Sequence, residues 1–212
     1  LFTYICIFSE NNCYFFTTAT TECALGAQVN STTINYTCTF AVQYYADSTL
    51  TGGTNETTTW TATTKVIDDS ASTHTATQVF EIGTLLALSF PATINYGTLA
   101  REVSTTNTTN AEMVITQFGN DVADVEVLGT DMTCSVVGTI ALGSQKWSLT
   151  DLSYGAIGTT ALTGAIVDTA FAIGYRTNEG TALTKVLYWN IQMPAVASGT
   201  CTGTNTLTAL AA

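Results

Sequence analysis

The chain has 212 residues, of which only 10% are charged, and 16 acidic side chains against five basic ones give a net charge of −11. Roughly a quarter of an ordinary soluble domain is charged; here threonine, a β-branched residue suited to a pleated surface, takes many of those positions. Five cations, Lys65, Arg101, Lys146, Arg176 and Lys185, cannot make a phosphate-tracking stripe, so nucleic acid is not expected as a partner.

Residues 1–23 differ from the rest. Leu1–Phe8 (LFTYICIF) is apolar but too short to span a bilayer and lacks a basic flank. No later stretch reaches membrane length, so no membrane span is expected, and a start without Met allows for an export signal already removed. Leu1, Phe2, Tyr4, Cys6 and Phe8, followed by Tyr14, Phe15 and Phe16, would be an aggregation hazard in water. Either they begin the sheet of their own domain, or they act as a donor strand that completes the sheet of a neighbouring subunit.

Residues 24–83 read as a small β unit. Strands are expected over 33–45, 57–67 and 75–82, with a turn at Thr51-Gly52-Gly53-Thr54-Asn55 and a boundary at Gly83. Residues 84–212 form the longer unit, with Leu85–Phe90 and Ile94–Leu99 on either side of Pro91. In Ala111–Gly129, Met113 and Ile115 alternate with Glu112, Val114 and Thr116, and Ala123, Val125 and Val127 alternate with Asp124 and Glu126. Period-two patterning on both sides of Gly119-Asn120-Asp121 predicts a β-hairpin with one buried and one wet face. Strands follow over 132–142, 147–152, 161–167, 169–175, 183–193 and 200–210. This spacing predicts an all-β, antiparallel β-sandwich in two packed units.

Six cysteines, Cys6, Cys13, Cys23, Cys38, Cys134 and Cys201, form an even set with no C-x-x-C pair, and His74 is the sole histidine. That favours disulfides in an oxidising compartment over zinc. Sequence does not fix the pairing; local closure favours Cys23–Cys38, the C-terminal half Cys134–Cys201, and Cys6–Cys13 follows by elimination. Buried free thiols are the plain alternative. Four N-x-S/T sequons, at Asn30, Asn35, Asn55 and Asn107, lie in turn-like or strand-edge polar stretches, where an N-linked glycan must sit. Cysteines and sequons together predict an extracellular or cell-surface protein.

The run INYG at 94–97, the stretch around Gly119-Asn120, Gly129-Thr130-Asp131-Met132, Leu187-Tyr188-Trp189 with Met193-Pro194, and the terminal SGTCTGT at 198–204 carry a resemblance. Over 84–212 the chain resembles β-sandwich modules of secreted archaeal surface proteins. The resemblance implies an immunoglobulin-like sandwich closed by the last strand, in a glycosylated envelope or filament subunit. In composition the chain is also similar to archaeal thread-like pilus subunits, which implies assembly by donor strands into a homopolymer.

Catalytic chemistry has little footing. His74 lies in a polar Ser72-Thr73-His74-Thr75 stretch read as a turn, with no G-x-S-x-G elbow. Asp68-Asp69 and the set Asp121, Asp124, Glu126 and Asp131 could offer oxygens to calcium, yet no calcium-loop spacing exists, and outward strand carboxylates are normally solvated. Lys65 and Lys185 sit in apolar runs; each either occupies the solvent face or joins an asparagine such as Asn95 or Asn190 in an isopeptide bond. Trp60, Trp147 and Trp189 are core residues or a sugar-stacking platform. The expectation is a structural subunit of an extracellular filament or envelope layer that assembles with other copies by strand exchange, without cofactor or enzymatic activity. The alternative is an adhesin or carbohydrate-binding module.

Overall fold

The computed structural model describes residues 2–6, 13–17, 23–30, 33–39, 41–67, 70–178, 180 and 182–212. All regular structure among them is antiparallel strand, apart from one 3-10 turn at Leu142–Ser144. The chain divides into Leu1–Leu85 with Thr177–Gly180, and Leu86–Arg176 with Thr181–Ala212.

In the first unit, β1 (Phe2–Cys6), β2 (Cys13–Thr17), β5 (Trp60–Ile67) and β6 (Thr73–Phe80) form one sheet in the order β2-β1-β5-β6. β3 (Cys23–Asn30) and β4 (Thr33–Cys38) form a separate ladder, so the strand expected over 33–45 stops at Cys38. Within one chain the N-terminal segment takes the first of its two expected roles: β1 lies between β2 and β5, with Phe2 opposite Lys65 and Cys6 opposite Thr61. A strand paired on both sides has its backbone donors and acceptors satisfied, which a lone apolar strand in water does not. Leu1 and Phe8 lie outside the described residues. Trp60 is the centre of this unit's core, its ring stacked on Phe80 at 6.2 Å and tilted against Tyr14 at 5.9 Å. Its indole N–H donates to the Asp47 carbonyl at 2.9 Å, which settles the polar end of a fully buried side chain.

The second unit is a β-sandwich. One sheet runs β13 (Thr160–Ala161), β12 (Gln145–Ser148), β15 (Leu183–Ile191), β8 (Ala111–Gln117), β7 (Leu88–Ser89). Facing it is β14 (Val167–Asp168), β9 (Ala123–Gly129), β17 (Asn205–Ala211). Met113, Ile115, Leu187 and Trp189 from the first meet Val125 and Val127 from the second in one core cluster, all buried. A third ladder, β11 (Thr139–Ile140), β10 (Met132–Cys134), β16 (Cys201–Thr202), carries its own cluster around Ile140, Ile191 and Ala197.

The expected hairpin over 111–129 is a different object. β8 pairs with β15 and β7, while β9 pairs with β17 and β14, so the Gly119-Asn120-Asp121 turn carries the chain from one sheet to the other. Gln117, fully buried, makes the crossing: its amide N–H donates to the Asp121 carbonyl and its oxygen accepts from the Gly119 N–H, each at 2.9 Å. A side-chain amide thus spans the turn. Period-two alternation is the same for a hairpin and for such an arch, because both place alternate residues in a core.

Other expected strands are shortened. Residues 90–99 belong to no strand, and the Gly97 N–H, at a φ of 70°, donates to the Asn95 side chain. The 169–175 stretch contributes a single bridge, Ala123 to Ile173, because Ala170 and Ala172 both adopt positive φ, 50° and 43°.

Candidate functional site

The cysteines come first because they fix loops. Cys134 and Cys201 are bonded, with Cα atoms 3.9 Å apart across the β10–β16 ladder and 67 positions apart in sequence. Backbone register also sets Cys6 opposite Cys13, which is itself disulfide-bonded, and Cys23 opposite Cys38. Directly opposed strand positions are close enough for a bridge.

Next is the peptide at Phe171, held from both sheets. The Asp124 carboxylate on β9 accepts from the N–H groups of Phe171 and, at 2.7 Å, of Val125. The Lys185 ammonium on β15 donates to the Phe171 carbonyl and lies 4.9 Å from the centre of its ring. Thr169 adds a hydroxyl bond to the Val125 carbonyl at 2.6 Å. Left-handed alanines cost on the order of 1–2 kcal/mol each, and these charge-assisted bonds, individually stronger than neutral ones, offset that strain.

Two expectations are corrected here. Lys185 shares the inward face of β15 with Leu187 and Trp189 and is half-buried, so it does not occupy the solvent face. Asp121 and Asp124, expected on a wet face, are 3% and 6% exposed and accept backbone N–H groups. Alternation could not reveal this, since it shows which residues share a face and not that the backbone at Phe171 closes over Asp124. Asp131 likewise accepts from the Leu142 N–H at 2.7 Å, and Asp68 and Asp69 lie outside the described residues.

Lys185 and Asn190 are five positions apart on one strand and so point to opposite faces, which removes them as an isopeptide pair. Asn190 is fully buried opposite Lys146, a pairing that sequence spacing could not show. Its side-chain oxygen accepts from the Thr105 hydroxyl at 3.0 Å, and Lys146 rests 4.7 Å over the Tyr154 ring. Asn95 is taken up by Gly97, and Lys65 is exposed. Gln145 was also missed. It is buried and joins three segments, accepting from the Tyr96 hydroxyl at 3.3 Å and the Asn205 amide at 3.2 Å, and donating to the Thr130 carbonyl at 3.4 Å. Burial pushes the Tyr96 phenol well above its ordinary value of 10.0.

His74 is not in a turn. It lies exposed on β6 opposite Val66. All three tryptophans are buried, and Trp147 sits directly opposite Trp189. The sequon asparagine Asn107 is exposed in a turn, its backbone N–H donating to the Ser153 hydroxyl at 3.1 Å. Asn55 is half-buried in the 48–58 turn. The side chains of Asn30 and Asn35, and those of Phe2, Tyr4, Cys6, Phe15 and Phe16, lie outside the described residues.

What remains exposed is backbone. β6 is paired with β5 along all eight residues, and β17 with β9 along all seven, and among the described residues neither has a strand on its other side. Neither strand holds a carboxylate, lysine, arginine or proline, and neither ladder has a register shift. Among the described residues, no group of three or more metal-ligating side chains occurs. No helix of the described residues is long and apolar enough to cross a membrane. Comparisons with protein families, curated proteins and solved structures found nothing that matches this chain.

Proposed function

We propose that the protein is a structural subunit of an extracellular filament or cell-envelope layer, built around an immunoglobulin-like sandwich and decorated with N-linked glycans. The observation that carries this reading is the pair of sheet edges, β6 and β17, that no strand covers among the described residues. Monomeric proteins blunt such edges with charges, prolines or bulges, because open ladders recruit other strands. In a chain whose net charge is −11, two long edges free of charged residues favour a subunit that joins its own copies. A disulfide across the third ladder suits an oxidising exterior. Strand exchange has one natural form on this topology: β1 of one copy taking, on β5 of the next, the register it holds here within one chain. The carbohydrate-binding alternative loses its motive, since the tryptophans offer no exposed face.

Negative-stain microscopy and sedimentation of secreted material test this reading. Filaments or sheets, or a mass distribution that grows with concentration, are expected. A single monomeric species across a hundredfold concentration range would overturn it.

A further inference from the structure

The structure points to a specific contact between copies: we propose that the open edge of β6 on one copy pairs with the open edge of β17 on the next. This rests on the reading of a self-assembling subunit, and it requires no existing ladder to open. In each unit one long strand with unbroken register is unpaired on one side among the described residues, β6 in the first and β17 in the second. β3 is as long as β6 but its ladder shifts register twice, and the other edge strands of the second unit are two residues each.

Both edges are wet where a finished sheet would be dry. Val66 and Ile67 at one end of the β5–β6 ladder, and Val79 at the other, are 39%, 45% and 58% exposed. On β17, Leu207 and Ala209 face inward yet remain half-buried, while Val127 and Val125, opposite them on β9, are 1% exposed. A cavity of about 360 Å³ runs beside Leu207 and Asn205, bounded by Met113, Ile94 and Phe90. The sandwich is therefore open along this edge.

A second copy is the occupant that fits. The donor must be an extended, accessible, uncharged strand of matching length, and this chain carries one: eight residues against seven. With 16 carboxylates elsewhere, an approach through these two edges keeps like charges out of the contact. Because the two edges belong to different units, the contact is heterologous and repeats head to tail.

Two variants test the pairing. Thr77→Lys with Val79→Lys puts cations on β6, and Thr206→Lys with Thr208→Lys puts them on β17; all four positions are exposed. Each variant alone should sediment as a monomer, since every junction then contains one blocked edge. Mixed in equal amounts they should give a species of twice the monomer mass and nothing larger, because one unblocked β6 meets one unblocked β17. Hydrogen exchange of the unmodified chain supplies a reading independent of variant folding: amides of 73–80 and 205–211 should slow at least tenfold together on assembly. Polymers from either variant, a mixture that stays monomeric, or assembly without that protection would overturn the pairing. The subunit reading would survive each of those outcomes and would fall only if the unmodified chain never assembled.

Discussion

Replacing the second unit's disulfide by the pair Cys134→Ser and Cys201→Ser should destabilise that unit by a predictable amount. The bond closes a loop of 67 positions. In the chain-entropy treatment such a loop removes about 15 cal/mol/K from the unfolded ensemble, or about 4 kcal/mol at 25 °C. β10 and β16 share the pairs Thr133–Thr202 and Cys134–Cys201, and backbone bonds between Val137 and Ser198 and between Thr130 and Thr204 flank them. Ser135 and Thr200 extend the contact with two bonds of 3.0 Å, one to a hydroxyl and one to a carbonyl. Burying two hydroxyls beside Ile140 and Ile191 adds to the loss and does not offset it. Urea unfolding followed by the fluorescence of Trp147 and Trp189, both in this unit, reads the effect. With a slope of about 2 kcal/mol/M, the midpoint should fall by about 2 M. A shift below about 0.5 M, or roughly 1 kcal/mol on that slope, would show that the bond does not restrict the unfolded chain as argued.

Asp124→Ala should cost about 1–3 kcal/mol, the penalty of an unsatisfied buried donor, since the Phe171 N–H loses its acceptor beside two left-handed alanines; denaturant melts check it, and Asp124→Asn should recover part of the loss. Tyr96 gives a pH prediction. Its folded pKa lies above the unfolded 10.0, so the folded state holds the proton longer. Stability from this group is complete below pH 10 and declines as pH rises beyond it, a decline that Tyr96→Phe should flatten in alkaline melts. Peptide mapping of native material should find glycan mass at Asn107, whose turn is exposed; an unmodified Asn107 would remove that site from the surface reading.

The fold class was legible in the sequence because alternation at period two and β-branched composition are local properties, and they place Met113, Ile115, Val125, Val127, Leu187 and Trp189 in a core whichever way the strands connect. The sequence left the cysteine pairing open, and the structure shows the closure expected across the C-terminal half, Cys134 with Cys201. Alternation does not name a strand's partner. Only the tertiary structure showed that 111–129 arches between sheets, that β1 lies inside its own sheet, and that Lys185 points inward to Phe171. Each of those depends on pairing between residues distant in sequence, where backbone hydrogen bonds are the same for every partner and the choice is made by which faces can be covered at once. Edge status is decided the same way: β6 and β17 read in sequence like any other strand, and they are candidate contacts because, among the described residues, no strand lies on the other side of either.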